Sequence, residues 1–469
     1  MASATENRAR MTRRSFLKAA GLGAAAAAVP GLTGRARAAQ PAHAANRPNF
    51  VILFTDDQGY ADVGCFGSET IRTPRLDRLA AEGLRLTSFY SQPVCGPARC
   101  ALMTGCYPPR VARRAGGWSL ATDEVTVAEV LKQAGYATCC IGKWDLSRRR
   151  YVADRVPNAQ GFDEYFGTLG ANDGGRVKLW RNRQALRETS DMGELTGLYT
   201  DQAIRFIREK KDSPFFLYLA HTMPHVKIGA SEKFRGKSRG GIYGDVIEEI
   251  DHNVGRVIDT LKELALDRKT VVLFTSDNGP WLSKGRHGGS AKPLRDGKGS
   301  SWEGGFRVPA IVWGPGRVPA GKESRAMMAT LDVLPTFAAL AGAKAPGDRV
   351  LDGVDQSALI TGKADAGARE TFFYYVRNNL HAVRKGQWKL ALPNRRASHG
   401  YVVDKKRITR PELYDLEADV SEKHDVADKH PAVVAELLKL ADHARKDIGD
   451  IDKPGANARN LQPPAKKKP

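Results

Sequence analysis

One pattern constrains this chain most: apolar runs that stop abruptly in polar residues, separated by segments carrying helix start and stop signals. Phe50-Val51-Ile52-Leu53-Phe54 ends at Thr55-Asp56-Asp57, and the run 215–219 ends at the polar stretch His221 to His225. Val271-Val272-Leu273-Phe274 ends at Thr275-Ser276-Asp277-Asn278-Gly279. A run that is apolar at every position reads as a strand covered on both faces, the mark of a parallel sheet. Between these runs, Thr73-Pro74 opens a helix that ends at Gly83, and residues 125–134 form a second, closed by Gly135 and followed by a strand over 136–141. Residues 247–264 have helical periodicity. The expected fold is therefore α/β, with a mainly parallel sheet flanked by helices. In such sheets ligands collect beyond the carboxyl ends of the strands, which is where the polar clusters fall. From about residue 365 the texture changes to short strand-like runs at 372–376, 381–384 and 387–392 and an amphipathic helix at 432–445. They predict a smaller C-terminal α+β subdomain.

The start of the chain reads as an export signal. Thr12-Arg13-Arg14-Ser15-Phe16-Leu17-Lys18 matches the twin-arginine pattern, an apolar run follows over 19–32, and Ala36-Arg37-Ala38 is an A-x-A cleavage site. That run is too short, and too rich in Ala and Gly, for the ~20 apolar residues of a membrane span. The expectation is a periplasmic or extracellular protein, carried by the twin-arginine machinery and without a stable membrane anchor. Net charge is +21 over the chain, and +15 once residues 1–38 are removed. Such a balance favours anionic partners. No zinc-finger spacing, RNP pattern or basic heptad points to nucleic acid, and the basic end at 463–469 reads as a solvated tail. Six cysteines without a CxxC pair suggest neither a zinc site nor a disulfide framework.

The chemistry concentrates in separated segments. Asp56 and Asp57 follow one strand and Asp277 and Asn278 another, all offering the oxygen donors of a hard cation, Ca²⁺ or Mg²⁺. Adjacent carboxylates at a buried strand end repel unless a cation lies between them. Between these segments stands Val94-Cys95-Gly96-Pro97-Ala98-Arg99-Cys100-Ala101-Leu102-Met103-Thr104-Gly105. Its C-x-P-[SA]-R pattern resembles the signature of the type I sulfatases, whose Cys is oxidised to formylglycine. The resemblance continues, in order, through Gly142-Lys143-Trp144, Met223-Pro224-His225, Ser276-Asp277-Asn278-Gly279, the stretch from Gly297-Lys298-Gly299 to Gly305, and Glu412-Leu413-Tyr414-Asp415-Leu416. It covers roughly residues 48 to 430, and His287-Gly288-Gly289-Ser290-Ala291 brings the chain nearest the arylsulfatase A and N-acetylgalactosamine-6-sulfatase branch.

That resemblance implies an alkaline-phosphatase-like sheet and hydrolysis of a sulfate ester on a sulfated carbohydrate. It divides the chain into a signal at 1–38, a catalytic domain at 47–365, a C-terminal subdomain at 366–450 and a basic tail at 451–469. A formylglycine-generating enzyme would act on Cys95, and Asp56, Asp57, residue 95, Asp277 and Asn278 would hold the cation. One hydroxyl of the hydrated aldehyde would attack sulfur, with Arg99, Lys143 and Lys298 holding the anionic groups. His225 and Lys298 would protonate the leaving alkoxide, and a base would then take the proton of the second hydroxyl and regenerate the aldehyde. One position departs from the family pattern. G-K-W-H-L-G is usual where this chain has Gly142-Lys143-Trp144-Asp145-Leu146-Ser147, so Asp145 stands where the base is expected. Three readings stay open: Asp145 is the base, another histidine such as His221 or His287 replaces it, or turnover is impaired. Two rival functions remain beside the main one, a phosphonate monoester or phosphodiester hydrolase with the same Cys-derived nucleophile, and a binding protein for sulfated glycan. The basic stretch 170–187, with Arg176, Lys178, Trp180, Arg181 and Arg183, reads either as a sugar-contacting surface or as an ordinary loop.

Overall fold

The computed structural model describes residues 47–393 and 400–459, so the export signal and the end of the basic tail lie outside the described residues. The central sheet has eleven strands: β1 (Asn49–Thr55), β2 (Leu84–Tyr90), β3 (Ala137–Lys143), β4 (Glu164–Thr168), β5 (Val177–Arg181), β6 (Gln184–Thr189), β7 (Phe215–Ala220), β8 (Thr270–Ser276), β9 (Arg307–Trp313), β10 (Lys322–Ser324) and β11 (Met328–Ala329). Their order is β10-β2-β9-β8-β1-β7-β3-β4-β5-β6, with β11 also beside β2. The middle run β8-β1-β7-β3-β4 is parallel, while β9, β5 and β6 run antiparallel to their neighbours. The sheet is thus mixed but parallel where the apolar runs predicted it.

Both faces of β1 are covered, which is why its middle positions, Phe50 to Phe54, are all apolar. Phe50, Ile52 and Phe54 pack into a cluster with α2 (Cys95–Thr104), α3 (Val127–Gln133) and α6 (Val333–Leu340). Val51 and Leu53 face α1 (Pro74–Ala81), α4 (Leu195–Glu209) and α5 (Gly241–Glu263) on the other side. Local chemistry sets the helix starts. Thr126 accepts from the Glu129 amide at 3.1 Å while Glu129 accepts from the Thr126 amide at 3.0 Å, a reciprocal cap for α3. Asp251 of α5 accepts from the Arg75 and Leu76 amides at the start of α1. Helix α5 begins six residues before the periodicity predicted, because the glycines at 240, 241 and 244 read as breakers, whereas Gly240 and Gly244 pack closely on Ile71 and Ser238 and Gly241 takes the left-handed φ of +64° at the helix start.

A separate four-stranded antiparallel sheet, β12 (Thr371–Val376), β13 (Asn379–Lys385), β14 (Trp388–Ala391) and β15 (Glu412–Asp415), carries α7 (Pro431–Asp447) against it through Leu437, Ala441 and Ala444. Its junction with the large sheet is ionic and buried. Lys389 of β14 contacts Glu303 at 3.0 Å, Glu422 at 2.7 Å and the Ser301 carbonyl at 2.9 Å, all away from solvent. Burial raises the pKa of Glu422 against the pull of Lys389. Removing Lys389 leaves Glu422 without its cation and Glu303 with only the more distant Arg307 at 3.7 Å. Lys389→Met is therefore expected to lower unfolding stability by about 3–5 kcal/mol, read by chemical denaturation; an unchanged midpoint would show that the junction does not depend on this charge.

Candidate active site

The site forms where β1 and β8 end side by side. Thr55 pairs with Ser276, so the next residues, Asp56 and Asp277, emerge together. The Asp277 amide donates to the Thr55 carbonyl at 3.0 Å, and the Asp57 amide donates to Asp277 Oδ1 at 3.1 Å. Asp57 has φ +66°, a left-handed conformation that aspartate tolerates better than most residues. From the next strand but one, β3 delivers Lys143, which requires Gly142 (φ +97°) to lie flat against β7; a Cβ there would fall 1.8 Å from the Ala220 carbonyl oxygen. Cys95 is the first residue of α2, and Arg99 lies one turn further on.

These side chains converge. Cys95 Sγ lies 3.2 Å from Asp56 Oδ1, 3.8 Å from Asp57 Oδ1 and 3.5 Å from Lys298 Nζ. Lys143 Nζ reaches Asp56 at 2.6 Å, Lys298 Nζ reaches Asp57 at 2.7 Å, and Arg99 pairs with Asp277 at 2.8 Å. Arg99 also donates to the Lys143 carbonyl (2.9 Å) and the Tyr218 hydroxyl (3.2 Å). Burial opposes the charge on Lys143 and Lys298, but Asp56 and Asp57 respectively hold both ammonium groups well above the usual lysine range. Burial, then the charges of Asp277 and Asp56, push the Cys95 thiol far up, so the unmodified residue is held as a neutral thiol. A protonated thiol is a poor nucleophile.

His225 stands over the opposite side of Asp57. Its Nδ1 lies 2.6 Å from the Val226 carbonyl, so Nδ1 carries a proton and Nε2 is the atom that titrates. Nε2 faces Asp57 at 3.7 Å and Asp173 at 3.6 Å. Burial, reinforced by Lys298, lowers the His225 pKa. Asp145, fully buried and at φ +57°, accepts from Arg149 Nε through Oδ1 at 2.9 Å. Its Oδ2 lies 3.5 Å from Lys143 Nζ and has no hydrogen-bond partner among the described residues. His221 and His287 hydrogen-bond to none of Cys95, Lys143 and Lys298. Both ring nitrogens of buried His221 lack partners, and burial lowers its pKa to about 4.

Sequence reasoning missed five neighbours, Arg149, Asp173, Trp118, Trp281 and Tyr401. Arg149 bridges Asp145 and Asp173 (2.6 Å) and lies 4.8 Å from the Trp118 ring centroid. Trp281 and Tyr401 flank Lys298, whose ammonium is 4.6 Å and 5.1 Å from their ring centroids, and Trp281 also lies 5.5 Å from the His225 ring. The spacing of Arg149 four residues after Asp145 was the one signal available. By contrast, the basic stretch 170–187 is mostly the β5–β6 hairpin at the sheet edge. There Arg181 bonds Gln202 and lies over Phe166, and Arg176 faces Glu188 at 3.8 Å.

The oxygen donors of Asp56, Asp57, Asp277 and Asn278 suit a hard cation. Ligand atoms of Asp56, Asp57, Cys95 and His225 all lie within 4.8 Å of one another, and conversion of Cys95 to a hydrated aldehyde would put oxygen in place of its sulfur. Asn278 donates to Asp57 Oδ1 at 2.7 Å, yet its own buried Oδ1 has no partner among the described residues, as an oxygen donor awaiting a cation would. Four buried carboxylates, Asp56, Asp57, Asp145 and Asp277, meet the buried cations Arg99, Lys143 and Lys298 and, at Asp145, the half-exposed Arg149. The charges roughly cancel, so a divalent cation would supply the surplus of positive charge that an anionic substrate needs. All six cysteines are free thiols.

Residues 48–343 match the sulfatase family and residues 367–467 match the C-terminal region of aryl-sulfatase. The chain is 37% identical over 409 residues to the N-acetylgalactosamine-6-sulfatase of Canis lupus familiaris, covering 80% of this chain and 74% of that one. Two solved structures are also similar. Ps i-CgsB in complex with k-i-k-neocarrahexaose has a TM-score of 0.73 and 31% identity, covering 85% of this chain and 92% of that one. A sulfatase from the glycosaminoglycan metabolism of Bacteroides thetaiotaomicron has a TM-score of 0.77 and 30% identity, covering 85% and 99%. The chain belongs to the sulfatase family, and its activity is the hydrolysis of sulfate esters.

Proposed function

We propose that this sulfatase acts on a sulfated carbohydrate through a formylglycine made from Cys95. The observation that carries the reading is the placement of Lys298 against the paired rings of Trp281 and Tyr401, with its ammonium 3.5 Å from Cys95 Sγ. Aromatic faces beside the reacting position suit a sugar ring, and the buried lysines suit its sulfate. Relatives that bind a carrahexaose or act on N-acetylgalactosamine-6-sulfate support the same class. Oxidised and hydrated, residue 95 supplies the oxygen that attacks sulfur.

The other tasks fall to neighbouring side chains. Arg99 orients residue 95 and Lys143 neutralises the sulfate. Lys298 and His225 Nε2 give a proton to the departing alkoxide, and Asp145 Oδ2 takes one when residue 95 is reset. Asp56, Asp57, residue 95, Asp277 and Asn278 would hold Ca²⁺, which supplies positive charge to the sulfate oxygens. The same reading takes residues 1–38 as a twin-arginine signal, with action outside the cytoplasm. No helix among the described residues is long and apolar enough to cross a membrane.

Two measurements test this. Sulfate release from sulfated saccharides should exceed turnover of aryl phosphate or phosphonate esters; the reverse preference would assign the phosphonate hydrolase reading instead. Dialysis against a chelator should abolish turnover and lower thermal stability, by about 2.7 kcal/mol relative to a hundredfold excess of cation over its Kd. Ca²⁺ should restore both; recovery with Mg²⁺ alone would reassign the ion, and no loss at all would remove the cation from the site.

A further inference from the structure

The segment that carries Lys298 also borders an open groove of about 670 Å³ whose charged lining is wholly basic: Lys292, Arg295, Lys406 and Lys423, with Ser421 also in the lining. Two of these charges are partly spent. Arg295 pairs with Asp404 at 2.7 Å and lies 3.6 Å over the Trp302 ring, and Lys406 pairs with Glu412 at 2.6 Å. Lys292 and Lys423 are exposed and have no acidic partner among the described residues. Unpaired like charges facing one space repel each other, and an anion placed among them removes that cost.

The groove shares its walls with the reactive centre. Arg295 and Lys298 belong to one segment, and three residues of chain span at most about 11 Å. Lys406 continues the segment that begins with Tyr401, whose ring flanks Lys298. The two are tied together, since the Asp404 amide donates to Asp296 at 3.1 Å and Arg295 donates to the Glu422 carbonyl at 2.6 Å. Because the same two segments carry Lys298, Tyr401 and the groove lysines, a chain-like ligand held at the reactive centre can extend toward the groove.

We propose that this groove is a subsite for the anionic groups of a polyanionic saccharide at positions other than the scissile sulfate. The inference rests on the sulfated-carbohydrate reading and adds that the substrate is a chain bearing several sulfates or carboxylates. A compact monosulfated ester would leave Lys292 and Lys423 without a contact.

The test compares Lys292→Ser/Lys423→Ser with a control carrying Lys237→Ser/Lys439→Ser, all exposed lysines outside the machinery described above. Dextran sulfate is the binding probe and 4-nitrophenyl sulfate the small substrate. The groove variant should bind dextran sulfate about three- to tenfold more weakly than the control at low salt, as expected for two exposed charge contacts. The difference should vanish at high salt. Turnover of the small ester should be unchanged. Equal affinity of the two variants for dextran sulfate overturns the proposal. An equal loss for duplex DNA of matched charge also overturns it, since the groove would then be a general anion surface. If the wild-type enzyme released no sulfate from any saccharide, the carbohydrate reading would fail while the binding comparison still reports on the groove.

Discussion

Cys95→Ala is expected to remove turnover by roughly four orders of magnitude or more, the loss typical when the group that attacks the substrate is deleted. The protein should stay folded, because the change only shortens a buried side chain at the first turn of a helix whose other nine residues are also buried. The sharper consequence concerns the wild-type chain. Its thiol, 3.2 Å from Asp56, is kept protonated by burial and by Asp277 and Asp56. Enzyme in which residue 95 remains cysteine should therefore be as inactive as the alanine variant. Peptide mass spectrometry across residue 95 reads the modified fraction, as a loss of about 18 Da for conversion of CH₂SH to CHO. Activity should scale with that fraction. Full turnover by an unmodified preparation would end the formylglycine reading and return the thiol to consideration.

The parts of the fold legible in the sequence were those with one physical cause. β1, β7 and β8 carry unbroken apolar runs because helices cover both faces of the sheet there. β9 went unread because Pro309 lies inside it, and a proline demotes a strand. In the structure Pro309 lies beyond the last pairing with β8 and beside an irregularity in the pairing with β2, so no ladder bond is lost. β5 and β6 were not read as strands, their stretch standing open between a sugar-contacting surface and a loop, because at the sheet edge they keep charged residues on the solvent side. The site divides the same way. Asp56, Asp57, Cys95, Asp277 and Asn278 were visible because each follows directly from a strand or opens a helix. Asp173, Trp281 and Tyr401 come from irregular segments with no periodicity, and only chain closure brings them to His225 and Lys298.

Asp145 is where sequence and geometry bear hardest on the mechanism. The family pattern expects histidine there, and a left-handed φ of +57° accommodates aspartate and histidine alike. The carboxylate is held from one side only. Arg149 engages Oδ1 and is itself fixed by Asp173, which leaves Oδ2 turned toward Lys143 without a hydrogen bond. A base needs an unshared lone pair in a fixed position, and Oδ2 has both. Asp145→Asn keeps the shape but replaces that oxygen's charge with an amide dipole. Turnover is expected to fall about 10²- to 10⁴-fold, the usual range for losing a general base. KM should change little, because the proposed sulfate contacts of Lys143 and Lys298 are left in place. Asp145→His should retain turnover, with a pH profile governed by an imidazole near its ordinary value of about 6.5. If Asp145→Asn leaves kcat unchanged, Asp145 is not the base. If instead it lowers only the affinity for substrate, the carboxylate serves to orient Lys143 and Arg149, and the proton must leave by another route.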